Sequence, residues 1–101
     1  MDISVTTEGS VAKLQMSGHF DFSAHRAFRE AYDPVLSKGG IKELEIDLGR
    51  VDYLDSSALG MLLLLRERAQ AAGKSVLLCK PSISVMQILE IANFNKLFAI
   101  R

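Results

Sequence analysis

The 101-residue sequence contains no tryptophan, one cysteine, two prolines and no excess of charge of either sign. The lone Cys79 excludes an internal disulfide and indicates a reducing compartment. Twelve basic residues balance twelve acidic ones, which argues against nucleic acid as a partner. The longest apolar run, residues 58–65, is too short to span a bilayer, and no signal-peptide pattern marks the N-terminus. We therefore expect a cytoplasmic protein without membrane insertion.

The sequence does contain enough apolar residues for one folded domain. They make up 49% of the chain, and a chain of about 100 residues can bury roughly two-thirds of its unfolded surface. Internal repeats, low-complexity segments and linkers are absent. The sequence therefore predicts a single domain over residues 1–101, with Cys79 as a buried free thiol.

The first third of the chain predicts a hairpin and a helix. Residues 3–5 and 11–16 alternate apolar and polar side chains, as strands with one buried face do. We expect Gly18 to end this hairpin and Ser23 to cap a helix that runs to about Ser37. Pro34 lacks a backbone donor and crowds the preceding turn, so it predicts a kink or an early helix end.

The rest of the chain alternates strands and helices. The predicted elements are a central strand at 43–48 with an approach at 49–54, a helix at about 57–72, a strand at 75–79, a helix opened by 80–82 and a short strand or turn at 97–100. Gly73 and Asn93 are expected to end the two helices in the left-handed conformation. The order β-β-α-β-α-β-α-β predicts an α/β fold with a partly parallel sheet.

The helix at 57–72 has more apolar surface than one contact with a sheet requires. At about 100° per residue, one continuous stripe is formed by Ala58, Met61, Leu62, Leu65, Ala69 and Ala72. We expect this stripe to face the sheet, and neighbouring helices to cover Leu59. Leu63 points nearly opposite the stripe, and with Leu64 it is interpreted as a patch facing a partner.

A polar turn, Asp55-Ser56-Ser57, directly precedes this apolar run. Aspartate and serine cap helix N-termini because their oxygens accept bonds from unpaired backbone N–H groups. The same helix start favours anions, including a phosphoryl group. Two interpretations follow: the turn is only a cap, which the residues by themselves favour, or one hydroxyl is a phosphorylation switch.

Residues for catalysis by this chain are lacking. Neither Ser56 nor Ser57 lies beside an obvious base, and there is no G-x-S-x-G elbow and no phosphate-binding P-loop. His19 and His25, six residues apart and without a cysteine pair, make a poor metal signature. The sequence predicts a protein that is not an enzyme and binds no metal or cofactor.

The segment at 55–60, Asp-Ser-Ser-Ala-Leu-Gly, resembles the D-S-[ST]-x-L-G signature of STAS domains, the family of the anti-sigma factor antagonists. Residues 18–21 resemble the family's G-x-[IVLF]-D turn, residues 43–48 its central strand, and residues 77–79 and 93–98 its later strand and ending. The resemblance implies a STAS fold: a mixed sheet of four or five strands with helices mainly on one face.

The chain departs from the family pattern at three places. Ala58 stands where the signature usually has glycine, and His19 stands where an acid is common. The sequence ends at Arg101, where the family usually continues into another helix, so we expect a STAS domain without that helix. The form of the signature is most similar to small stand-alone antagonists from Gram-negative bacteria.

The resemblance also implies a function. In anti-sigma factor antagonists the first serine of the signature accepts phosphate, which here is Ser56, with Asp55 and Ser57 as neighbours. Asp21, Ser56, Ser57 and Leu63 would belong to the partner-binding surface. The implied partners are an anti-sigma factor, a serine kinase and a phosphatase, with a response regulator carrying one of these activities. The unmodified form would bind the anti-sigma factor and release the sigma factor.

Two other roles stay open at this point. STAS domains also act as subunits or tails of anion transporters and lipid-transport complexes, where they bind a transport ATPase. A nucleotide-binding sensory module is the second alternative, suggested by the polar loop around Asp21 and the helix start at Ser56. The identity of the partner separates these three functions.

Overall fold

The computed structural model describes all 101 residues. In chain order the elements are β1 (Asp2–Glu8), β2 (Val11–Phe20), α1 (His25–Leu36), β3 (Glu43–Leu54), α2 (Ser56–Ala71), β4 (Ser75–Cys79), α3 (Ile83–Ile91) and β5 (Ala99–Ile100). Two short 3₁₀ turns, Phe22–Ala24 and Phe94–Lys96, precede α1 and β5. This order confirms the predicted sequence of strands and helices.

The five strands form one mixed sheet in the order β1-β2-β3-β4-β5. β1 and β2 are antiparallel, as their short connection requires, and every later neighbour is parallel. Each parallel pair is joined through a helix, which brings the chain back to the same end of the sheet. The mixed five-stranded sheet confirms the predicted fold class.

One face of the sheet carries the core. Leu14, Ile46 and Leu78 are register partners across three strands, and each is fully buried. The opposite face carries polar partners such as Lys13 and Glu45. The period-2 alternation therefore directs apolar side chains towards the helices and leaves the other face uncovered by helices. No helix is both long and apolar enough to cross a membrane.

Two predictions about the strands are wrong. β2 does not end at Gly18 but continues to Phe20, because Gly18 adopts φ +105° at a register shift and the strand resumes pairing beyond it. Residues 49–54 are not a separate approach segment. They belong to β3, since their pairing with β2 extends to Leu54.

The start of α1 also differs from the prediction. Ser23 does not cap α1: a 3₁₀ turn precedes the helix, and the side chain of Asp21 caps that turn. α1 runs to Leu36, so Pro34 does not end it early. Pro34 lies in the last turn, where its missing N–H costs the helix a single hydrogen bond. The predicted end near Ser37 is confirmed.

The end of α2 matches its sequence signal. Gly73 has φ +73°, its N–H donates to the carbonyl of Gln70 at 3.1 Å, and the N–H of Lys74 donates to the carbonyl of Ala69 at 2.8 Å. This pair of bonds is a Schellman motif. Of the predicted stripe, only Ala72 is exposed, because it lies past the helix end at the C-cap.

Two smaller predictions are confirmed. Asn93 has φ +61° and follows the end of α3 in the left-handed conformation. Cys79 is a free thiol with 8% of its surface exposed. Burial raises the pKa of this thiol, and the nearby Glu45 and Asp47 carboxylates raise the pKa further.

Candidate functional site

The candidate site forms where two neighbouring parallel strands end. Phe20 ends β2, Leu54 ends β3, and the two are register partners with buried side chains. The residue that follows each strand is an acid, Asp21 after β2 and Asp55 after β3. Both carboxylates therefore lie at the carboxyl edge of the sheet. The N–H of Asp55 donates to the carbonyl of Phe20 at 3.3 Å and joins the two segments. The strand pairing thus brings the Asp21 loop beside the start of α2.

Asp55 is the N-cap of α2. Its Oδ1 accepts from the N–H of Ala58 at 2.8 Å, and its carbonyl accepts from the N–H of Leu59 at 3.2 Å. The predicted capping role of Asp55 is confirmed, whereas Ser56 is the first residue inside the helix and caps nothing. The backbone N–H groups of Ser56 and Ser57 have no acceptor within the protein. They point out of the helix start, where partial positive charge favours an anion.

The two serines of the turn differ in exposure. Ser56 is exposed, while Ser57 is half-buried. Neither hydroxyl forms a hydrogen bond with a histidine or a carboxylate. Chemically, the site offers an accessible hydroxyl beside free N–H donors, which suits a group transferred from another protein.

Asp21 is held by the turn that follows it. One carboxylate oxygen, Oδ1, accepts from the N–H of Ser23 at 3.0 Å and also from the Ser23 hydroxyl. The hydroxyl is the main reason that the pKa of Asp21 lies below its usual value of 3.8, and His19 lowers this pKa as well. Asp21 is therefore ionised at neutral pH, and its Oδ2 makes no hydrogen bond within the protein.

A shallow pocket lies between the Asp21 loop and α2. Its volume is about 260 Å³, and its lining is formed by Phe22, His25, Ser57, Gly60, Met61 and Leu64; we call it the Phe22 pocket. Phe22 is 71% exposed and stacks on the imidazole of His25, with ring centroids 6.1 Å apart. Phe22 was not among the predicted site residues, although an aromatic residue directly after a capping aspartate in a polar turn was a usable signal.

Tyr53 is a second exposed aromatic residue near this edge that was missed. It is 48% exposed and meets the ring of His19 edge-on at 5.9 Å. The Nδ1 atom of His19 lies 2.6 Å from Oδ1 of Asp52. The exposure of Tyr53 could be predicted from its place in β3, because Leu54 is buried and the residue before it points to the opposite face of the sheet.

Leu63 is exposed as predicted, at 40%, and so is Leu64 at 37%. Leu59 is half-buried against the core, as expected for a residue covered by its neighbours. Leu63 is seven residues beyond Ser56, or about 10 Å along the helix axis. The structure thus brings Asp21, Ser56 and Ser57 to one edge, and Leu63 lies two turns further along α2.

Two other cavities are larger than the Phe22 pocket. The largest, about 450 Å³, lies on the helix-free face of the sheet, and its lining includes the carboxylates of Glu8 and Glu45 and the ammonium group of Lys13. Because Lys13 offsets only one of these two carboxylates, the charge of this cavity disfavours the phosphates of a nucleotide. The second cavity, about 360 Å³, lies along α1 and is lined by His25, Arg26, Arg29, Glu30 and Asp33. No group of three histidine, cysteine, aspartate or glutamate side chains is arranged to hold a metal ion.

The family model described as Mlab, STAS domain matches residues 3–100. The chain therefore belongs to the STAS domain family. A STAS-domain-containing protein of Pseudomonas aeruginosa is 43% identical over 95 residues, which span 94% of this chain and 92% of the relative. A protein of Bordetella bronchiseptica named as an anti-sigma factor antagonist, BtrV, is 30% identical over 61 residues, or 60% of this chain and 53% of the relative.

Solved structures share the fold at lower identity. The anti-sigma factor antagonist SpoIIAA, a Bacillus cell-fate determinant, superposes in both its unphosphorylated and its phosphorylated form with a TM-score of 0.75 and 15% identity. The match covers 99% of this chain and 87% or 91% of SpoIIAA. The murine anion transporter Slc26a9 has the same fold in part of its chain, with a TM-score of 0.74 and 15% identity over 85% of this chain and 14% of the transporter.

Proposed function

We propose that this STAS domain is an anti-sigma factor antagonist whose binding is switched off by phosphorylation of Ser56. The unmodified form binds an anti-sigma factor and so releases the sigma factor. The observation that carries the proposal is the position of Ser56: it is exposed, it directly follows the capping Asp55, and two free backbone N–H groups adjoin it. The name of the Bordetella relative supports this function, and SpoIIAA, at 15% identity, shares the fold.

Ser56 is a better acceptor than Ser57. A kinase must bring the γ-phosphate of ATP to about 3–3.5 Å from the attacking oxygen, in line with the bond that breaks. The exposed Ser56 allows this approach, whereas Ser57 is partly buried and faces the Phe22 pocket. We therefore assign Ser56 as the phosphorylation site, with Asp55 and Ser57 as its neighbours.

The electrostatics of the edge suit a switch that acts on the contact surface. A phosphoryl group adds about −1.5 to −2 charges beside the Asp55 carboxylate. Repulsion between unit charges about 4 Å apart is roughly 1 kcal/mol in water and about 4 kcal/mol at an effective dielectric of 20. The helix start offsets about 0.3–1 kcal/mol of this. The domain can stay folded, while a loss of about 3 kcal/mol at the interface would weaken binding more than a hundredfold.

This function needs partners and no catalysis by the chain itself. Phosphate is supplied by a serine kinase, which can be the anti-sigma factor, and removed by a phosphatase. In the small stand-alone type, a response regulator can carry one of these activities. The surface around the serines, with Asp21 and the more distant Leu63, is proposed to contact the anti-sigma factor.

The two alternatives have weaker support. Slc26a9 shares only the fold, at 15% identity, so it does not point to a transport role for this chain. A nucleotide-binding role would need a cavity at the carboxyl edge of the sheet. The pocket there holds about 260 Å³, which is below the roughly 300–1,000 Å³ of most small-molecule sites.

The proposal is tested by mapping phosphorylation in vitro. Wild type, Ser56→Ala and Ser57→Ala are each incubated with Mg²⁺-ATP and the kinase activity of the source cell, and phosphopeptides are identified by mass spectrometry. We expect modification of Ser56 in wild type and in Ser57→Ala, and none in Ser56→Ala. Modification restricted to Ser57 would reject the assignment.

A further inference from the structure

Phe22 is the most exposed aromatic side chain of the molecule, at 71%. Burying a phenylalanine side chain is worth about 1.5–3 kcal/mol, yet the fold leaves this ring in solvent. The ring contributes a wall of the Phe22 pocket and is oriented by stacking on His25. Since Phe22 lies outside the core cluster, folding does not explain its presence in the turn.

The Phe22 pocket has the size and the lining to accommodate one apolar side chain of another protein. Phe22, Met61 and Leu64 supply apolar walls. Gly60 leaves room on the helix side, since a Cβ built there would meet nothing within 4 Å. At about 260 Å³ the pocket is small for a free metabolite. Pockets that accept a single anchoring side chain are common at the centre of protein interfaces.

The nearness of Ser56 indicates that a kinase is the protein that would cover this pocket. Ser57 lines the pocket, and Ser56 is the adjoining residue. An enzyme that transfers phosphate to the Ser56 hydroxyl must cover this edge of the molecule, and the pocket then lies under its surface. Asp21, which directly precedes Phe22, is ionised and has a free Oδ2. A basic side chain flanking the apolar anchor would complement this charge.

We propose that the Phe22 pocket is the docking site by which this chain selects its serine kinase, with one apolar kinase side chain inserted between Phe22 and α2. The inference rests on the proposed phosphorylation of Ser56 and adds the residue that determines kinase specificity. Phe22 acts in recognition and does not touch the reacting atoms. Its loss should therefore change the KM for the protein substrate and leave kcat unchanged.

The test compares two exposed apolar residues. The probe is the kinase activity purified from source cells by its ATP-dependent phosphorylation of wild-type Ser56. Phe22→Ser removes the pocket wall, and Ile91→Ser is the matched control, since Ile91 is 83% exposed at the C-terminal end of α3, on the opposite side of the sheet from the carboxyl edge. We expect Phe22→Ser to raise KM at least tenfold with kcat within twofold, and Ile91→Ser to leave both within twofold of wild type.

A second variant tests the pocket without removing a contact. Gly60→Leu fills the space beside α2, and it should fold because a Cβ at this position meets no atom within 4 Å and replacing glycine favours the helix. We expect the same rise in KM, with a melting temperature no lower than that of wild type.

Each other outcome contradicts part of the account. If Phe22→Ser and Gly60→Leu are phosphorylated with the wild-type KM, the docking site is wrong while the proposed function stands. If wild-type Ser56 takes up no phosphate, the proposed function fails and this inference fails with it. If sedimentation shows a dimer that Phe22→Ser dissociates, the occupant is a second copy of the chain and not the kinase.

Discussion

Asp21 and Asp55 occupy equivalent positions at the ends of two paired parallel strands. Each directly follows the last strand residue, Phe20 or Leu54, and each carboxylate accepts a backbone N–H of the turn or helix that begins there. Both aspartates therefore act as caps at this edge: Asp21 caps the 3₁₀ turn before α1, and Asp55 caps α2. A phosphoryl group on Ser56 would add about −1.5 to −2 charges at an edge that already carries these two carboxylates, and a partner bound there would meet the added negative charge.

The cap at Asp55 should be measurable as stability. Asp55→Ala leaves the N–H of Ala58 without its acceptor, and loss of an N-cap costs about 1 kcal/mol, within a range of roughly 0.5–2. Asp55→Asn is the matched control because asparagine caps equally well. Urea unfolding of the three proteins gives the free energies. Equal stability of Asp55→Ala and wild type would remove the capping role.

The ionised Asp21 predicts a pH dependence. Its pKa is lowered in the folded protein, so the unfolded state takes up its proton first as the pH falls. The stabilisation by Asp21 is therefore complete above its usual value of 3.8 and is lost as the pH falls through the lower folded value. We expect wild type to exceed Asp21→Asn in stability at pH 5 by more than at pH 2.5. Urea titrations at both pH values measure the two differences, and a difference that grows in acid would contradict the assignment.

Two adjacent leucines should respond in opposite ways to the same substitution. Leu62 is fully buried, so Leu62→Glu places an unpaired carboxylate in the core, which costs several kcal/mol and unfolds the domain. Leu63 is 40% exposed, and Leu63→Glu should change the free energy of unfolding by less than about 0.5 kcal/mol. We expect the second variant to weaken binding of the anti-sigma factor. Melting temperature and affinity are measured for both.

If Leu63→Glu loses its fold as Leu62→Glu does, Leu63 belongs to the core. If it folds and binds the anti-sigma factor with wild-type affinity, it lies outside the interface. Either result would confine the partner surface to the carboxyl edge of the sheet, around Asp21 and the two serines.

Features with a local signal were predictable from the sequence. The buried stripe of α2 follows from helical periodicity, and Gly73 and Asn93 mark left-handed positions that few other residues tolerate. The Asp55 cap was equally readable, because the preference for aspartate at this position depends only on the adjacent N–H groups.

Features that depend on distant partners were not predictable. β3 extends to Leu54 because it pairs with the end of β2, more than thirty residues away. Lys74 is 8% exposed, and its Nζ donates to the carbonyls of Lys38 and Ile41 at 2.7 Å, across 36 and 33 residues. From the sequence alone, a lysine after a helix end is expected to be exposed, because its distant carbonyl acceptors cannot be identified. In the candidate site, the motif located the serines, but only the folded chain placed Phe22 beside Ser57.

The switch itself is the central claim, and calorimetry with the purified anti-sigma factor tests it most directly. The titrants are unmodified protein and protein stoichiometrically phosphorylated at Ser56, with amide NMR spectra recorded for both. We predict an affinity at least tenfold weaker for the phosphorylated form, with shift changes limited to the Asp21 loop and the start of α2. Equal affinities of the two forms would contradict the account.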